Sequence, residues 1–143
     1  MSWTLLTRIA ADLSAVGEVG REMKELGNRA GLSADVLIGV ELAVCEAINN
    51  AIVHAVKDSP DAWISISGEF SSGELVVLVM DEGSPVPEDV LAGVSQENLN
   101  QEPASEIENL RTSGWGLDMI DALCAEWSFQ SIDGLNTFRL VFR

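Results

Sequence analysis

Glu46, Asn50 and His54 stand at i, i+4 and i+8 in the run Glu41 to Ala55, so in a helix they share one stripe. That stripe borders the apolar one formed by Leu37, Val40, Val44, Ile48, Ala51, Ile52 and Ala55. A carboxylate and a carboxamide one turn apart suit two jobs. The side-chain oxygen of Asn50 can serve a Mg²⁺ that also holds phosphate oxygens. Glu46 can accept a proton from a nucleophile approaching a terminal phosphate. The solvated face of an amphipathic helix shows the same pattern, and His54 reads most simply as packing at a helix end.

Two further groups carry possible chemistry. Val77 to Met80 is an apolar run that ends on Asp81-Glu82-Gly83. A carboxylate fixed at a strand end can accept a hydrogen bond from an exocyclic amine such as adenine N6, and Gly83 lets a flat ring approach the backbone. A plain turn after a strand reads the same way. Arg111-Thr112-Ser113-Gly114-Trp115-Gly116-Leu117 opens a helix with two glycines, whose free N–H groups make an anion site. Arg111 is the only cation between Lys57 and Arg139, which suggests a local task such as reaching a γ-phosphate. Trp115, between the glycines, packs over the nucleotide or under a lid.

The elements that must position these residues follow from periodicity. Trp3 to Ala11 alternates loosely, as an edge strand or an extended arm does. Asp12 or Ser14 caps a helix to about Ala30, with Leu13, Val16, Val19, Met23 and Leu26 on its inner face. Ser33 or Asp35 caps a second helix from about Ala34 to Val56. Ala62 to Phe70 and the more uniformly apolar Glu74 to Met80 read as strands joined at Ser71-Ser72-Gly73, the second of them central. Residues 84–113 are acidic, contain prolines and run longer than ordinary connections, so they are expected to form a lid over the site. Short helical pieces are expected within it at 88–93 and 105–110. A helix from Gly114 to Ala125 and a closing hairpin around Asp133-Gly134 complete the chain. The order implies one domain, 1–143. Its class is α+β, a two-layer sandwich with helices on one face of a mixed, mostly antiparallel sheet.

Composition narrows the function. With 23 Asp and Glu against 8 Lys and Arg, the formal charge is −15, which argues against duplex nucleic acid and anionic membrane as partners. It permits a nucleotide, whose phosphates can be neutralised locally by backbone N–H groups and a cation. Cys45 and Cys124 fall in helical apolar patterns and read as small core residues. No run reads as long and apolar enough to span a bilayer. The N-terminus lacks the layout of a signal peptide, so a cytoplasmic location is expected. Arg21, Lys24 and Arg29 place three of the few cations on the first helix, as a docking patch or as ordinary surface.

Together these groups resemble the GHKL (Bergerat-fold) ATPases, with their histidine-kinase-like fold, and within them the anti-sigma-factor serine/threonine kinases. Glu46 to Ala55 is similar to that family's Glu-Ala-X-X-Asn-Ala-X-X-His-Ala box. Asp81-Glu82-Gly83 is similar to its adenine box, and Arg111 to Leu117 to its second glycine box. The resemblance implies ATP and Mg²⁺ as cofactors, with Asn50 on the metal and Glu46 as the base that activates a serine. It implies Asp81 on the adenine amine, and Gly83, Gly114, Trp115, Gly116 and Leu117 around the nucleotide, with Arg111 toward phosphate. It implies a sigma factor and a STAS-type anti-anti-sigma protein as partners, the latter phosphorylated, and homodimers. The chain departs from the pattern at Ser84-Pro85, where a second glycine is common, and in the spacing of Arg111 from Gly114. Asn136 falls, by alternation with Phe138 and Leu140, where the family has a pocket-facing threonine. Two alternatives make the same pocket: a non-catalytic ATP/ADP-binding module that sequesters a partner, and the catalytic domain of a sensor histidine kinase.

Overall fold

The computed structural model describes residues 3–10, 12–55, 62–100 and 116–143. Arg111, Gly114 and Trp115, and the short helix expected at 105–110, lie outside the described residues. Five strands form one sheet: β1 (Trp3–Ala10), β2 (Trp63–Ser71), β3 (Glu74–Asp81), β4 (Glu126–Ile132) and β5 (Leu135–Phe142), in the order β1-β2-β3-β5-β4. Every pairing is antiparallel, so the parallel component that a mixed sheet would need is absent among the described strands. β3 is central and β1 an edge, as their sequences imply. Asp133 and Gly134, both at positive φ, turn the β4–β5 hairpin, the backbone twist that a two-residue hairpin loop requires.

Alternation assigns the faces. Ile64, Ile66, Leu75, Val77, Val79, Phe138, Leu140 and Phe142 are buried, while Ser65, Val76, Leu78, Met80, Thr137 and Arg139 point to the other side. The buried face carries the helices: α1 (Val16–Arg29) lies on β2 and β3, and α2 (Ala34–Asn50) on β3 and β5. Asp12 accepts from the Ser14 N–H to start a 3₁₀ turn, Leu13–Ala15, that leads into α1. The short turn rotates Leu13 off the inner face, and it is exposed where the spacing predicts burial. Ser33 caps α2 through the Val36 N–H. α2 ends in a π turn, Ala51–Ala55, so the single long helix expected to Val56 widens just past Asn50.

Two expectations need correction. Residues 34–54 are long and apolar enough to cross a bilayer by length and composition. In the fold this stretch is the middle helix of the layer, with Val40, Ala43, Val44, Ala47 and Ile48 wholly buried, which is why it is so apolar. The expected helix at 88–93 runs on as α3 (Glu88–Asn100), and Val86 and Val94 join the core rather than facing water. α4 (Leu117–Leu123) packs between α2 and α3.

Candidate functional site

The site lies where the C-terminal half of α2, the end of β3, the start of β5 and the start of α4 come together. The π turn that follows Asn50 contacts β3, and α2 packs along α4.

At the strand end, Asp81 is paired with Asn136 across the β3–β5 ladder. Both side chains lie on the buried face, at 6% and 1% exposure. The Asp81 Oδ1 accepts from the Gly83 N–H at 2.8 Å, the local turn that an Asp-X-Gly sequence favours. It also accepts from the Asn136 Nδ2 at 2.9 Å, and the same Nδ2 donates to the Gly83 carbonyl at 2.8 Å. Three residues thus lock into one ring of hydrogen bonds that uses one oxygen of the carboxylate. Burial pushes the Asp81 carboxyl above its ordinary range, while the bonds from Asn136 and Gly83 pull it back.

At the helix end, Glu46 is half-buried on the flank of α2 that faces α4. Gly116, the residue before α4, is left-handed at φ 62°, and a Cβ there would run into the Glu46 carboxylate. Glycine is therefore required twice, by the backbone angle and by the carboxylate above it. Burial raises the Glu46 pKa. Asn50, one turn on, is 4% exposed, and its Nδ2 has no hydrogen-bond partner among the described residues. The ends of a carboxamide are exchanged by a flip of the group, so that unpartnered end can present an oxygen as readily as an amine. An orphaned buried amide is costly unless a ligand completes it. One amide oxygen fits Mg²⁺, which keeps waters and takes its other ligands from nucleotide phosphates. No cluster of three or more His, Cys, Asp or Glu is present among the described residues.

The sequence-derived candidates fall into three groups. Asp81 and Gly83 share one hydrogen-bonded knot, with Asn136 as its third member. Glu46 and Gly116 meet across the α2–α4 contact, with Asn50 beside them on α2. Leu117 is wholly buried in the core. His54 is half-buried in the π turn. Alternation placed Asn136 on the right face, but its bond to Asp81 depends on strand register, which the sequence does not declare. Nothing in its spacing marks Asp118, buried on the first turn of α4. The cysteines are half-buried free thiols, and burial holds the Cys124 thiol up at about 12.

Comparison with known proteins identifies the family. The histidine kinase-like ATPase domain family matches residues 9–142. The chain is 31% identical to the serine-protein kinase RsbW of Listeria innocua over 124 residues, which is 84% of this chain and 77% of that protein. It is 27% identical to the RsbW of Bacillus subtilis over 129 residues, 90% of this chain and 78% of that one. Among solved structures, the RsbU and RsbW domains of Rv1364c from Mycobacterium tuberculosis superpose with TM-score 0.66 at 20% identity. That match covers 99% of this chain and 32% of that one. The SiaB–SiaC complex from Pseudomonas aeruginosa gives TM-score 0.63 at 19% identity, covering 96% of this chain and 88% of that one. These last two likenesses speak to the fold. With an ATPase-family match over nearly its whole length and a serine-protein kinase relative at 31% identity, the chain belongs to the histidine kinase-like ATPases and, among them, to the ATP-binding anti-sigma serine kinases.

Proposed function

We propose that this kinase transfers the γ-phosphoryl group of ATP to a serine of a STAS-type anti-anti-sigma protein, and that it also binds a sigma factor. The observation that carries the catalytic part is the Glu46 carboxylate held over Gly116 next to the unpartnered Asn50 amide. Glu46 would take the proton of the serine hydroxyl as that oxygen attacks phosphorus. Its raised pKa brings it nearer the working range of a general base. Asn50 would give its side-chain oxygen to Mg²⁺, which when bound neutralises phosphate charge. Asp81 would accept from the adenine amine with the carboxylate oxygen that the Gly83 and Asn136 bonds leave over, and Gly83 would let the ring lie close. Gly114, Gly116, Trp115 and Leu117 would border the nucleotide, with Arg111 toward the phosphates from a lid at about 84–113, all within one domain spanning 1–143. The RsbW relatives are named as serine-protein kinases, and a SiaB–SiaC complex has been solved on this fold, which supports a protein as the acceptor. A cytoplasmic location goes with that reading. Self-association does too, and exposed Leu6, Trp63 and Leu135 around one groove on the open sheet face offer an apolar surface for it.

The test is Glu46→Gln with Mg·ATP and the acceptor protein. Loss of a general base lowers transfer by about 10²–10⁴-fold while ATP still binds. Wild-type protein that binds ATP yet phosphorylates no serine on its true acceptor would instead make the chain a nucleotide-gated binding module.

A further inference from the structure

The outer face of α2 carries a stripe of which the nucleotide site uses only the last member, Glu46. Asp35, Ile38, Leu42 and Glu46 stand at i, i+3, i+7 and i+11, which in a helix is one face about 16 Å long. Every other side of α2 is taken. Val40 and Val44 face the sheet at 0% exposure. α1 holds one flank, where Lys24 meets Glu41 at 3.5 Å and the Cys45 thiol reaches the Val16 carbonyl. α4 holds the other, where Gly39 sits against Leu123. What remains outward is Ile38 at 55% exposure and Leu42 at 47%, one turn apart, between exposed Asp35 and half-buried Glu46. Two large aliphatic side chains on one ridge of an otherwise packed helix mark a contact surface.

The helices on and beside this ridge, α2 and α4, carry charge of one sign. α2 and α4 together carry Asp35, Glu41, Glu46, Asp118 and Asp121, and their sequences contain no Lys or Arg. The facing cations are on the α1 flank, where Glu41 engages Lys24 and Arg21 stands near Cys45, away from Asp35. An acidic segment laid on the ridge would be repelled, and a basic one would be drawn in and oriented.

We propose that this stripe is the docking track for the phosphoacceptor protein. The surface that fits it presents a Lys or Arg to Asp35, two apolar side chains to Ile38 and Leu42, and the acceptor serine to Glu46. Because the track ends on the base itself, docking sets the hydroxyl within its reach, which is how a bound partner turns an encounter into an oriented reaction. The proposal rests on the kinase reading for the role of Glu46, but the docking surface can be measured without phosphoryl transfer.

The experiment titrates the STAS-type acceptor onto the full chain with Mg²⁺ and a non-hydrolysable ATP analogue. Wild type is compared with Ile38→Ser/Leu42→Ser and with Asp35→Lys. All three positions are exposed, so the variants should melt with the wild type. The double variant is expected to raise the acceptor Kd, and the acceptor KM with ATP, about tenfold or more, with ATP affinity and saturating kcat unchanged. Asp35→Lys is expected to weaken docking alone, and an acceptor carrying Lys or Arg→Glu at the matching position should restore it. An acceptor Kd that does not move in either variant overturns the proposal, as does a loss of ATP affinity in the double variant, which would assign the ridge to the nucleotide. Wild-type protein that transfers no phosphate removes the kinase reading, and a Glu46→Gln that still transfers removes only the base role of Glu46; either leaves the Kd series to decide the track.

Discussion

The two ends of the site are built in opposite ways. At the strand end, Asp81, Gly83 and Asn136 are tied together by three hydrogen bonds of 2.8–2.9 Å, anchored to two central strands, with the buried Asn136 Oδ1 lacking a partner among the described residues. At the helix end, Glu46 and Asn50 project from one helix, the carboxylate rests against a glycine that offers it no side chain, and the amide lacks a partner among the described residues. The Asp81 carboxylate and its turn are completed by protein bonds alone, whereas the helix end makes no such bonds among the described residues and is completed only by a ligand. Base recognition tolerates no play, since a ring must meet a fixed carboxylate. Phosphoryl transfer needs groups whose charge is answered by what binds, namely phosphate, cation and an incoming hydroxyl. Rigidity and vacancy are therefore divided between sheet and helix.

Asp81→Asn tests the completed end most severely. The carboxamide oxygen can go on accepting from Gly83 and Asn136, so the knot survives. The other oxygen becomes an amine and faces the adenine amine donor to donor. ATP affinity should fall a hundredfold or more, by calorimetry, because a buried polar mismatch is punished far more than a lost contact. Stability should not fall with it. Burial raises the Asp81 pKa in the fold, so the ionised carboxylate is a burden absent below the ordinary carboxylate range and growing as pH rises through the raised value. The uncharged variant should therefore gain on wild type at neutral pH and not near pH 3. Asn136→Ala is the contrasting change. It strips the Gly83 carbonyl and Asp81 of a buried donor and should lower stability by about 1–3 kcal/mol in urea melts.

At the open end, Gly116→Ala should cut saturating transfer about tenfold, with a smaller effect on ATP affinity. A left-handed alanine costs about 1–2 kcal/mol, and its methyl pushes the Glu46 carboxylate aside. Transfer kinetics check it. Unchanged kcat would mean that the carboxylate's place over Gly116 is incidental, and the contrast between the two ends would collapse.

Legibility in the sequence followed the same division. Strand alternation and the Asp-X-Gly turn declared the strand end, because those signals are local. The edge place of β1 and the central place of β3 came from how evenly apolar each run is. Asn136 was reached by alternation, yet its bond to Asp81 is a matter of register between residues far apart in sequence. The Glu46–Gly116 contact was illegible for the same reason: it depends on how α4 lies along α2. Leu13 misled because a 3₁₀ turn precedes α1, and three residues per turn rotate a side chain away from where the helical period puts it. The stretch at 34–54 does not read as one long apolar run because Asp35, Glu41 and Glu46 interrupt it, and in the fold Glu41 lies toward α1 and Glu46 toward α4 while the apolar side chains between them meet the sheet.

The smallest expected effect concerns the protonation of Glu46. As a base it must be ionised, and burial raises its pKa, so transfer should rise with pH through a limb above the ordinary glutamate range. The displacement is limited because the side chain is only half-buried and its charge keeps contact with water. A kcat–pH profile at saturating acceptor and Mg·ATP, with folding followed in parallel, checks it. A rate that stays flat on acidification to the ordinary glutamate range, while the chain stays folded, would show that proton removal does not limit transfer at this end. The sign also bears on stability. A folded pKa above the unfolded one makes the ionised group a burden at neutral pH, so Glu46→Gln should hold or slightly raise the melting temperature there while transfer is lost. Both ends thus carry a carboxylate that the fold bears at some expense; Asp81 should be needed for binding, and Glu46 alone for the chemical step.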